Sequence, residues 1–193
     1  MRLVEMKLDE GEIAFGVDAI SLVNSPAIES NFIALKKQDI EKVHFATVSD
    51  EKRIVMGALL IPDKPILRID EKGEPYNIFF SSETVRRASQ LFLMNGYQNS
   101  ATLEHEVKIQ GVTVVESWLV EDSEMDKSKL HKLDAPTGSW VVAMKIDNDQ
   151  IWNDYVKSGK VLGFSLEGFF KPEDKKETKK DKSKLTAKII KKL

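Results

Sequence analysis

The sequence contains no cysteine. That removes disulfides, thiolate catalysis and cysteine-ligated metals together, and it suits a reducing compartment. Histidine is scarce: His44, His105 and His131 are the three in 193 residues. They lie far apart in the chain and make no His-x-x-x-His pair, so no metal or cofactor is expected. Long apolar runs are also missing. The longest, such as residues 55–62, fall far short of a membrane span. The first nine residues mix Arg2, Glu5, Lys7 and Asp9 with apolar side chains, unlike a signal peptide. No glycine loop of the phosphate-cradling kind is present. Nor does one sign of charge dominate, the formal net charge being −2. The expectation is a soluble, intracellular protein without a membrane segment.

What is present is enough for one globular domain, with 41% hydrophobic residues. Short strand-like stretches predominate. Residues 16–26 read as a strand and turn, 32–35 as a brief apolar stretch, and 43–48 as a candidate strand. Residues 53–61 are β-branched and apolar, with Pro62 closing them; 65–69 and 75–80 flank the turn Glu71-Lys72-Gly73-Glu74. A helix opens near Ser82, which could cap it. Val85, Ala88, Leu91, Phe92 and Met94 then follow a helical period, and Asn95-Gly96 stops it. Residues 102–105 read as a short strand and 112–120 as a strong one, with Thr113, Val115, Ser117 and Leu119 on one face. Residues 121–136 read as a mobile polar loop, 138–146 as a strand, 149–158 as a short helix ended by Gly159, and 161–170 as a last strand. Regular strand–helix alternation is lacking. The fold class expected is mainly β with flanking helices (α+β), built on an antiparallel barrel-like sheet.

Charge is uneven along the chain. Residues 171–193 hold ten lysines against four acids, a net +6, which leaves −8 on the remainder. The expected organisation is a domain over 1–170 and a basic, disordered tail over 171–193. The tail has no aromatic residue for base stacking and interleaves acids, so nucleic acid is not the expected partner.

Without cysteine, nucleophilic catalysis would fall to serine or threonine activated by histidine. In Gly163-Phe164-Ser165-Leu166-Glu167-Gly168 a serine sits in an apolar strand between close glycines. The pattern departs from the Gly-x-Ser-x-Gly elbow, because Glu167 holds the last glycine position and no long helix follows. On spacing alone an ordinary strand serine is the simpler reading. His105, in Leu103-Glu104-His105-Glu106, stands at the edge of a strand; His44 lies beside a charged linker and His131 in the polar loop.

Taken together and in order, these segments resemble a known family. They include Gly16-Val17-Asp18, Ser25-Pro26-Ala27-Ile28-Glu29, Lys52-Arg53-Ile54-Val55, Ile61-Pro62-Asp63-Lys64-Pro65 and Phe92-Leu93-Met94-Asn95-Gly96-Tyr97. They continue through Leu103-Glu104-His105-Glu106, Val115-Glu116-Ser117-Trp118, Gly138-Ser139-Trp140, Lys145-Ile146-Asp147-Asn148-Asp149 and the Ser165 segment. The chain is similar, from about residue 16 to 170, to the XkdF-like phage prohead serine proteases. These are relatives of the tailed-phage prohead proteases and, more distantly, of the herpesvirus assembly proteases.

The resemblance implies the herpesvirus assembly protease fold, Ser165 as nucleophile and His105 as its base. The family's aspartate after the histidine is Glu106 here. A second histidine downstream of the serine, as in the herpesvirus relatives, is missing. An acid would take that place: Glu116, slightly preferred, or Glu167, which shares a strand face with Ser165. A Ser–His dyad stays open. The resemblance further implies capsid maturation within the assembling prohead, in the host cytoplasm. Scaffold protein, the major capsid protein and the protease's own tail would be substrates, with self-association into a homo-oligomer open. Two rivals stand beside it: a non-enzymatic capsid assembly or scaffold protein of the same fold, and a nucleic-acid-binding protein acting through the tail.

Overall fold

The computed structural model describes residues 2–8, 16–27, 33–36 and 51–174. The expected strand at 43–48, His44, and the tail beyond residue 174 lie outside them. Twelve strands form three four-stranded sheets among the described residues. The first has the order β12 (Lys171–Asp174), β1 (Leu3–Lys7), β6 (Pro75–Phe79), β5 (Ile66–Ile69). The second runs β3 (Ile33–Lys36), β4 (Glu51–Leu60), β10 (Trp140–Ile146), β9 (Val112–Leu119). The third runs β11 (Gly163–Phe169), β2 (Gly16–Val23), β7 (Ala101–Leu103), β8 (Val107–Ile109).

The chain is therefore mainly β, as its strand-like runs indicate. Among the described residues the strands do not form the single antiparallel barrel expected. None of the three sheets closes on itself, and two pairings are parallel, β1 with β6 and β2 with β7. Parallel neighbours need a long crossover, and α1 (Ser82–Met94) lies within the connection from β2 to β7. Local alternation marks which face of a strand is apolar, but not which strand lies beside it.

The core is one large cluster around Trp140, Phe92, Phe164, Ile20, Leu22 and Leu60, all essentially solvent-free. Each such side chain contributes roughly 1.5–3 kcal/mol on burial. Helix α1 enters it through Val85, Ala88 and Phe92, and the Phe92 ring meets Trp140 at 5.6 Å between centroids. Its N-cap is Ser81, one residue before the expected Ser82, accepting the Thr84 amide. Asn95 and Gly96 end it, and Gly96 has the positive φ of 76° that such a stop needs.

Three further expectations change on packing. In β9, Glu116 pairs with Ala143 but Val114 with Met144, so Val115 is an extra, bulged residue. The inward side is thus Val112 and Val114, then Ser117 and Leu119, rather than one unbroken face from Thr113. Ser117 there accepts the Trp140 indole N–H at 2.8 Å. The polar stretch 121–136 is a packed connection holding α2 (Lys127–Leu130). Leu133 and Ala135 bury against Met56 and Val141 in a second, smaller cluster. The expected short helix near 149–158 forms as α3 (Asp149–Ile151), running on into a π-helical turn, Trp152–Lys157.

The described chain continues in strand form past residue 170. Lys171–Asp174 is strand β12, antiparallel to β1, with Arg2 on Asp174 at 2.7 Å and Lys7 on Glu173 at 2.5 Å. No helix among the described residues is long and apolar enough to cross a membrane.

Candidate active site

Strand β11 alternates. Phe164 and Leu166 turn to the core, which leaves Ser165 and Glu167 on the opposite face. Its neighbour β2 does the same: Ile20 and Leu22 are core residues, and Ala19 and Ser21 face the other way. The registers Ser165↔Ser21 and Ser21↔Thr102 then set Ser165, Ser21 and Thr102 in a row across three strands, on the face away from the core. Ala19 lies opposite Glu167. A long carboxylate on β11 can pass over so small a neighbour, and Glu167 does: its Oε1 accepts the hydroxyl of Thr102, two strands away.

His105 follows the end of β7 in a tight turn. Its ring nitrogen Nδ1 lies 3.1 Å from the same oxygen, Glu167 Oε1. A carboxylate offers only acceptors, so Nδ1 carries the hydrogen of this bond and Nε2 is left as the basic nitrogen. The ring is 43% exposed and Glu167 29%, so the pair sits at a wet rim rather than in the core. Ser165 is half-buried, two residues from Glu167 on the same strand face. Among the described residues no hydrogen bond engages its hydroxyl. Ser165 also lines a mainly apolar cleft of about 180 Å³, whose walls include Leu59, Ile66, Phe80, Leu166 and Phe170, with Arg68 among them.

Of the residues singled out in the sequence, His105 and Glu167 meet directly, and Ser165 shares the strand face of Glu167. Glu116 does not join them. It is on β9, in another sheet, with its carboxylate on Lys127 of α2. The segment pattern favours Glu116, whereas strand pairing places Glu167 beside the histidine. Glu106 is exposed in the turn beside His105. His131 follows α2, where burial and then the charge of Lys127 push its pKa down.

Two polar partners were not singled out, Thr102 and Ser21. Both are buried, at 5% and 0% exposure. Nothing local distinguishes either, since each acquires its role from the parallel pairing of β2 with β7. Among the described residues no group of three or more histidine, aspartate or glutamate side chains is placed to hold a metal ion.

The family model described as "Putative phage serine protease XkdF" matches residues 42–173, a stretch that contains His105, Ser165 and Glu167. No curated protein and no solved structure matches the chain. The family model covers more than half of the sequence, and this chain belongs to the XkdF family of phage serine proteases.

Proposed function

We propose that the chain is a serine endopeptidase of phage capsid maturation, with Ser165 as nucleophile, His105 as general base and Glu167 orienting His105. The observation that carries this reading is the Glu167–His105 contact, made by a residue two positions from Ser165 on one strand face. A serine hydroxyl is a weak nucleophile until a base takes its proton, and a base works best when a third group fixes its tautomer. Glu167 does that from Nδ1.

On substrate binding, Ser165 Oγ attacks the scissile carbonyl carbon and its proton passes to His105 Nε2. Backbone amides beside the site hold the oxyanion. The leaving amine takes the proton from His105, and an ester to Ser165 remains. Water, deprotonated by His105, then releases the acyl product. The Ser165–His105 hydrogen bond forms in the substrate complex, as such bonds often tighten only there. Its natural substrates are the scaffold protein and the scaffold-like segment of the major capsid protein, in the host cytoplasm, and the chain's own basic tail.

The test is incubation of wild type and Ser165→Ala with the cognate scaffold and capsid proteins, with products mapped by mass. Discrete fragments from wild type and none from a folded Ser165→Ala are expected. Equal fragmentation by both removes Ser165 from the mechanism. No fragmentation by either favours the non-enzymatic assembly role.

A further inference from the structure

The turn that carries His105 has an unusual backbone. Glu104 and His105 have φ of 52° and 62°, both on the left-handed side, which residues with a Cβ rarely adopt in succession. Such a turn persists only if its surroundings hold it. Leu103 O accepts the Glu106 amide at 3.0 Å, closing the turn on itself. Three further bonds tie it to β2 and to the residue that follows it. Glu104 N–H donates to Leu22 O at 3.0 Å, His105 N–H donates to Ser21 Oγ at 2.9 Å, and Glu104 Oε1 accepts the Asn24 amide at 2.8 Å.

Ser21 has a second relationship. It is the direct register partner of Ser165 on β11. One fully buried serine therefore pairs with the strand of the nucleophile through its backbone and holds the backbone of the base through its side chain. We infer that Ser21, with Glu104 as the outer tie, is a positioning residue that sets His105 relative to Ser165. This rests on the functional reading above and adds to it the device that holds the base in reach. Ser21 lies outside the stretch matched by the family model. The side chain contributes an acceptor to a backbone amide, so its loss frees the turn without removing any group that touches substrate. A displaced base slows the chemical step while leaving binding almost as it was. Displacements of about 1 Å cost as much as a hundredfold in rate.

The experiment measures labelling of the full chain by a fluorophosphonate probe, which reports the maximal labelling rate and the half-saturating concentration separately. Melting curves accompany each variant. Ser21→Ala is expected to slow the maximal rate about tenfold to a hundredfold with little change in half-saturation. Glu104→Ala should slow it less, and Glu104→Gln, which keeps an acceptor oxygen, should restore it. Hydrogen exchange at the His105 amide should quicken in Ser21→Ala.

A folded Ser21→Ala that labels at the wild-type rate overturns the inference, as does one that changes only half-saturation. If Ser21→Ala does not fold, the exposed Glu104 decides: wild-type labelling by Glu104→Ala overturns it, and a loss restored in Glu104→Gln supports it. The functional reading fails separately, if wild type does not label at all or His105→Ala labels as wild type does.

Discussion

The imidazole of His105 and the carboxylate of Glu167 meet at 3.1 Å although 62 residues separate them in the chain. Neither belongs to the other's strand. His105 sits in the turn after β7 and Glu167 on β11, with β2 between. The meeting depends on a small residue, Ala19, opposite Glu167, and on a second donor, Thr102, that fixes the carboxylate from β7. Two donors on one oxygen hold the carboxylate more firmly than an exposed ion pair would.

That contact separates the two acidic candidates. Glu167→Ala is expected to lower kcat by about 10²–10⁴-fold, since the imidazole loses the partner that fixes its tautomer. Glu116→Ala should leave activity near wild type, because it only frees Lys127. Thr102→Val should fall between them. Peptidase assays on the three purified variants decide this, and a strong loss in Glu116→Ala with an active Glu167→Ala reverses it.

Gly168 permits the close approach of β2 to β11 just after Glu167. A bulge shifts the register here, Glu167 pairing with Ala19 and Gly168 with Val17. A Cβ at this position would overlap Gly16 O and stand 2.8 Å from Val17 Cα, and both are backbone atoms that cannot rotate away. Gly168→Ala should therefore cost at least ~2 kcal/mol and displace Glu167. Denaturant melts and activity are the measurements; an unchanged midpoint would refute it.

The domain's end should be at or beyond Asp174. Truncation after residue 170 removes β12, exposes the edge of β1 and strips the partners from Arg2 and Lys7. Residue Val4, 2% exposed, lies on β1. A chain ending at 170 should melt several degrees below one ending at 174. Equal midpoints for the two would show β12 to be an ornament.

Acid should weaken the fold in two steps. Asp126 caps α2, accepting the Ser128 amide at 2.7 Å and the Trp118 indole N–H at 3.1 Å. Burial alone would raise its pKa, but these bonds and the charge of Lys127 hold it below the ordinary value of 3.8. A depressed carboxylate stabilises above its unfolded pKa, and that contribution is lost as pH falls through the folded one. The His131 pKa, lowered by burial and Lys127, has the same sign at higher pH. The unfolded chain takes that proton first, so stability begins to drop below about 6.5.

Chemical melts against pH should therefore show an upper step missing in His131→Gln and a lower one missing in Asp126→Asn. Asn keeps the cap at neutral pH, whereas Asp126→Ala costs about 1 kcal/mol there. Identical pH profiles for wild type and both variants would rule the two groups out.

Much of this protein is written locally. Ser81 and Asn95-Gly96 bound α1 through the backbone groups they satisfy, and Val85, Ala88 and Phe92 declare its inner face by their spacing. The apolar, β-branched runs of β4, β9 and β10 specify strands for the same reason. The ordered segments around His105 and Ser165 were enough to identify the family. Tertiary structure alone decided which strands are neighbours. It set β2 parallel to β7, carried Glu167 rather than Glu116 to His105, bulged β9 at Val115 and drew Lys171–Asp174 back onto β1. Side-chain alternation states which face of a strand is buried. The partner across that face depends on how the whole set of apolar surfaces can be closed at once, and no local stretch holds that information.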